Sequence, residues 1–130
     1  MALLALETSC DETSAAVVHQ CRVLSNVVSS QIKLHAEYCG VVPELAAREH
    51  LRNLMPVVRM AMREASVPTD ELDAVAATRG PGLPSALMVG LNAAQAMAFV
   101  LRLPFLGIHH RAKTSSAWGN GTPRSKPRGW

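Results

Sequence analysis

The stretch Glu7-Thr8-Ser9-Cys10-Asp11-Glu12-Thr13 concentrates three carboxylates and three hydroxyls in seven residues. A simple turn needs Gly, Asn or Asp to reach its dihedrals and has no need of so much oxygen. Acids and hydroxyls on a loop held by rigid strands can hold a metal or steer a phosphate-bearing substrate. They can equally be the solvated acids of a polar hairpin, and composition leaves both readings open. Gly80-Pro81-Gly82 either offers backbone N–H groups to a phosphate or makes a tight strand-to-helix turn. His109-His110 are ligand types, or else two strand-end histidines, one buried and one solvated. His35 and His50 are candidates for substrate contact and equally for surface or capping roles. Met55, Met60 and Met62 are read as ordinary packing.

These residues need elements to position them. Ala2 to Leu6 and Ser14 to Val18 read as two strands joined by the acidic stretch, and Val23 to Val28 as a third. The short link His19 to Arg22 suits an antiparallel connection, so the chain opens with a three-strand meander. Pro43-Glu44 is a helix start, with Pro in the first turn and an acid beside the helix dipole. Leu51, Leu54, Met55, Val58, Met62 and Ala65 then mark a buried face, ending near Ser66. Pro56 is expected to kink or locally break this helix. Leu72 to Thr78 reads as a buried strand. Pro84-Ser85 opens a second helix to about Leu101, apolar on nearly all sides and so expected to be buried on more than one. Pro104 to Ile108 is a last strand. The two strands after helical crossovers should join the sheet in parallel. The expected fold is α/β: a ribonuclease-H-like mixed five-stranded sheet with helices, of the kind that actin-like ATPases pair around a nucleotide cleft.

Length bounds the chain to one domain or one lobe, large enough to bury a core. No apolar run reads as long enough to cross a bilayer, and the N-terminus shows no signal-peptide pattern. Cys10, Cys21 and Cys39 are odd in number and lack CxxC spacing, which favours reduced thiols and a cytosolic setting. The net charge of +3 is unevenly placed. Residues 1–110 hold 8 Lys/Arg and 10 Asp/Glu. Residues 111–130 hold Arg111, Lys113, Arg124, Lys126 and Arg128, no acid, and both tryptophans. This break is taken as a boundary between a lobe at 1–110 and a basic Gly/Pro/Ser tail at 111–130, expected to be disordered.

Four blocks in order carry a resemblance: Glu7 to Thr13, His35 to His50, Thr78-Arg79-Gly80-Pro81-Gly82-Leu83, and Gly107-Ile108-His109-His110. Together they resemble the tRNA threonylcarbamoyladenosine transferases of the TsaD type, long labelled glycoprotease or O-sialoglycoprotein endopeptidase. The resemblance covers residues 2–110, most of the N-terminal lobe of a two-lobed actin-like (ASKHA) protein. It implies an acyltransferase that moves a threonylcarbamoyl group from threonylcarbamoyl adenylate to the tRNA adenosine next to the anticodon. It implies Asp11 and Glu12 near the active site, taking a proton from the attacking amine or positioning substrate through water. It also implies one divalent metal, iron or zinc, with His110 matching the first of two histidine ligands four apart. The partners implied are tRNA, a paralogous non-catalytic N-lobe subunit and a small ATPase, with no membrane.

The chain departs from that pattern where the second ligand should stand. Position 114 is Thr114, a poor ligand beside imidazole and carboxylate, and one imidazole does not hold a catalytic metal with useful affinity. Cys39 stands where the family usually has Gly. Nothing after Ser115 resembles a second lobe. The abrupt change reads as a frameshift, a truncated gene model or an alternative terminus. Two readings follow: a truncated transferase inactive on its own, or a non-catalytic lobe that binds a partner of the threonylcarbamoylation system. The expected compartment is the cytoplasm, or an organelle if an upstream targeting segment is missing. The protease label finds no Ser/His/Asp, Cys/His or HExxH set to support it.

Overall fold

The computed structural model of the 130-residue chain describes residues 1–31 and 40–109. Strand β1 (Ala2–Glu7) is followed by β2 (Glu12–His19) and β3 (Arg22–Ser30). Helix α1 (Pro43–Ala65) and a single 3-10 turn (Thr69–Glu71) lead to β4 (Ala74–Gly80). Helix α2 (Pro84–Leu101) and β5 (Phe105–His109) complete the described chain. The sheet order is β3-β2-β1-β4-β5. The first three strands are antiparallel neighbours, and β4 and β5 run parallel to β1, as the crossovers require.

Alternation along the strands decides the two faces. Leu4 and Leu6 of β1, Ala15 and Val17 of β2, and Val75 and Ala77 of β4 face one side. Leu54, Val57, Val58 and Ala61 of α1 and Ala94 and Ala98 of α2 close over them. Leu4, Val17 and Val75 are fully buried, and each contributes roughly 1.5–3 kcal/mol by leaving water. The opposite face carries a smaller cluster of Leu3, Ala74 and Ala76, with Ala5, Leu106 and Ile108 beside it. That cluster contains no helix residue among the described residues.

Three expectations need correction. The core stripe of α1 runs through Ala46, His50, Leu54, Val57, Val58 and Ala61. It is rotated from the expected face, for Leu51 is 68% exposed and Met55 44%. The helix has apolar residues on two adjacent faces, so periodicity alone did not single out the buried one. Of the two effects expected of Pro56, a kink or a local break, the break is overturned, for α1 is continuous from Pro43 to Ala65. Pro56 and Arg52 both lie on the exposed side of the helix, away from the core stripe.

Helix α2 is not buried on several sides: Met88, Phe99 and Val100 are exposed. It is also 18 residues long with a mean hydropathy of 1.4, enough by length and composition alone to cross a membrane. The small residues Ala86, Gly90, Ala94 and Ala98 bring it against the sheet.

Candidate functional site

The acidic stretch is a loop between β1 and β2 at the carboxyl ends of β1, β4 and β5. In α/β sheets ligand sites form outside the carboxyl ends of parallel strands. Its anchoring begins with Glu7, whose Oε2 accepts a 2.6 Å bond from Thr78 Oγ1 and whose Oε1 accepts one of 2.6 Å from the Ser9 N–H. Thr8 is buried; its hydroxyl donates to the Ala86 carbonyl at 2.7 Å and accepts from the Gly90 N–H at 3.0 Å. Only glycine allows that approach, since a Cβ at position 90 would lie 2.6 Å from Thr8 Oγ1.

The next three carbonyls are each held by a different segment. Ser9 O accepts from Leu83 N at 2.8 Å. Cys10 O accepts from His50 Nε2 at 2.8 Å. Asp11 O accepts from Gln31 N at 2.8 Å. The Gly80-Pro81-Gly82 turn therefore serves the acidic loop. A Cβ on Gly82 would meet Ser9 O at 2.5 Å, and the Leu83 N–H already has its protein acceptor. Of the two readings of this turn, the structure supports the tight strand-to-helix connection.

Asp11 is half-buried and Glu12, the first residue of β2, is exposed. The fixed loop thus holds both acids at one end of the sheet. Cys10 is exposed, and its thiol is pushed above its ordinary acidity range by partial burial and then by the negative charge of Asp11, with Glu7 adding to it. The backbone hydrogen bond from Asp11 offsets part of this rise.

His109 closes β5 opposite Gly80, where an added Cβ would lie 3.4 Å from the imidazole Cδ2. His110, Thr114, His35, Cys39 and the tail 111–130 lie outside the described residues. His50 is neither a surface nor a capping residue: it is fully buried, with Nδ1 2.7 Å from Thr13 Oγ1. Its position in the stripe Ala46, His50, Leu54 was the available signal. The Thr8–Gly90 contact had none, because it joins residues 82 apart.

Among the described residues no three His, Cys, Asp or Glu side chains group closely enough to hold a metal ion. One imidazole at 110 with a threonine at 114 is likewise short of a metal donor set. The described residues by themselves supply no donor set for the implied metal.

A meander of three strands, two parallel strands added through helices, and a loop anchored beyond their carboxyl ends define a ribonuclease-H-like lobe of the actin-like ATPase class. The sequence model of the tRNA N6-adenosine threonylcarbamoyltransferase family matches residues 22–123, and the chain belongs to that family. The match continues past the composition break at 110. The tRNA N6-adenosine threonylcarbamoyltransferase of Trichlorobacter lovleyi is 57% identical over 111 residues, which are 85% of this chain and 32% of that protein. The chain thus spans about a third of the length of the curated relatives it matches. YeaZ from Pseudomonas aeruginosa superposes with a TM-score of 0.65 at 30% identity, over 89% of this chain and 50% of that one. Thermus thermophilus RuvC shares the fold at 15% identity, with a TM-score of 0.57 over 92% of this chain and 71% of that one.

Proposed function

We propose that these residues form the first lobe of an enzyme that transfers a threonylcarbamoyl group from threonylcarbamoyl adenylate to the exocyclic amine of a tRNA adenosine next to the anticodon, and that the 130-residue chain does not catalyse this alone. The observation that supports it is the fixed acidic loop, with Ser9, Cys10 and Asp11 carbonyls all held and Glu12 left exposed. In this reaction the amine nitrogen bonds to the carbamoyl carbon, the bond to the adenylate oxygen breaks, and AMP leaves. The amine's proton passes to Asp11 or Glu12, directly or through water. The cytoplasm is the proposed compartment, or an organelle if a targeting segment precedes residue 1.

The test is to join residues 1–109 to the remaining two-thirds of the Trichlorobacter lovleyi relative and measure labelled threonine incorporated into tRNA. The chimera should be active, the 130-residue chain inactive. Asp11→Asn or Glu12→Gln should cut the rate by about 10²-fold or more. A folded chimera whose rate ignores both substitutions would remove the acids from the chemistry. For the metal, purification under reducing conditions should give substoichiometric iron or zinc, unchanged by His110→Ala. One tightly held ion lost on that substitution would show that another residue replaces Thr114.

A second reading is favoured by α1 and α2. Leu51, Met55 and Met88 are exposed around a trough of about 530 Å³ that also involves Leu54 and Val89. This apolar trough suits a paralogous lobe of the same fold, with the small ATPase joining the assembly. The likeness to YeaZ is consistent with such a lobe.

A further inference from the structure

We infer that His50 is a positioning residue for the Asp11–Glu12 pair, bracing from within α1 the two residues that flank it. The functional part of this inference rests on the reading of that pair given above. The contacts are with Cys10 and Thr13, the residues immediately before and after the two acids. Cys10 O lies 2.8 Å from Nε2 and Thr13 Oγ1 2.7 Å from Nδ1. A carbonyl only accepts, so Nε2 carries the hydrogen, and in the neutral ring Nδ1 accepts from the Thr13 hydroxyl.

Packing alone does not call for histidine here. Position 50 falls in the stripe with Ala46, Leu54, Val57 and Ala61, where an aliphatic side chain would bury apolar surface without any polar group to satisfy. His50 and Thr13 are instead both fully buried, and each has its partner in the other. A ring whose two nitrogens face opposite ends of one short segment holds both ends at once. Without it the Cys10 carbonyl loses its donor, while the Asp11 carbonyl stays tied to Gln31 and Glu12 and Thr13 stay paired with Ser30 and Ser29 of β3. The path of residues 10–13 would then be held from the β3 side alone, without the brace from α1 at Cys10 and Thr13.

The thiol of Cys10 reports on that path. It is exposed at the surface, and its acidity answers first to partial burial and then to the charges of Asp11 and Glu7. The test is peptide-resolved alkylation of Cys10 by iodoacetamide against pH, in the full 130-residue chain. His50→Leu should move the Cys10 profile down toward ordinary thiol behaviour and raise its rate several-fold at pH 8. His50→Gln, whose carboxamide can both donate to Cys10 O and accept from Thr13, should stay near the wild-type profile. A folded His50→Leu chain with an unchanged profile would overturn the inference. If that variant does not fold, the nitrogen-15 spectrum of the wild-type ring decides. A proton on Nε2 is expected, and a neutral ring protonated only on Nδ1 overturns the brace. Neither readout uses tRNA, so failure here is distinct from an inactive chimera.

Discussion

At the scale of single residues the acidic loop is held by contacts that tolerate little change. Gly90→Ala would place a methyl group 2.6 Å from Thr8 Oγ1, inside a buried pair with no flexible end to yield. It should destabilise the lobe by about 1–3 kcal/mol, read as a lowered thermal midpoint. Gly107→Ala is the matched control, because its Cβ would meet Arg79 Cδ at 3.1 Å, on an exposed and flexible side chain. That variant should melt near the wild type.

Charge gives a second test at this scale. Partial burial raises the Cys10 pKa most and the Asp11 charge adds to it, so Asp11→Asn should remove part of the rise, increase the thiolate fraction and speed alkylation at pH 8. In the native protein the thiol holds its proton to higher pH than in the unfolded chain. Its small contribution to stability is therefore present below the unfolded thiol pKa and fades as pH rises through the folded one. Of these residues, sequence made Asp11 and Glu12 conspicuous through their density of oxygen. Thr8 and His50 were not legible as loop anchors, because their partners lie 37 to 82 residues away.

Among the elements, five strands and two helices were readable because alternation and helix starts were strong. Pro43 and Pro84 each stand at the opening of a helix. The rotation of α1 was not readable, since Leu51 and Met55 extend the apolar surface beyond the core stripe. Both helices end on a residue in the left-handed region, Ser66 at φ 56° and Arg102 at φ 57°. Glycine adopts that conformation without a Cβ penalty. Ser66→Gly and Arg102→Gly should each stabilise the chain by roughly 1 kcal/mol, measured by urea unfolding with an unchanged m-value. A lowered midpoint would mean that the side chains at these caps contribute more than the backbone strain costs.

For the whole molecule, the resemblance located the family while physics alone reached only the fold, since this lobe architecture serves unrelated chemistries. The exposed apolar surfaces of α1 and α2 belong to this scale. A trough flanked by Leu51, Met55 and Met88 is expected to make the isolated chain self-associate. Sedimentation velocity should show species larger than a monomer at micromolar concentration. Leu51→Lys with Met88→Lys should shift the distribution to monomer without changing the far-ultraviolet circular dichroism. A wild-type chain that stays monomeric throughout would argue against this surface as an interface.

The ties on the acidic loop also fix an order in time. The loop is made before every one of its anchors, Gln31, His50, Thr78, Leu83, Ala86 and Gly90. A nascent chain stopped near residue 70 would contain β1, β2, β3 and the whole of α1, but none of the ties from β4 and α2. Contacts of such long sequence separation close slowly. The acidic loop is thus among the last parts of the lobe to take its final shape, and synthesis must pass Gly90 before the two acids stand where the finished lobe holds them.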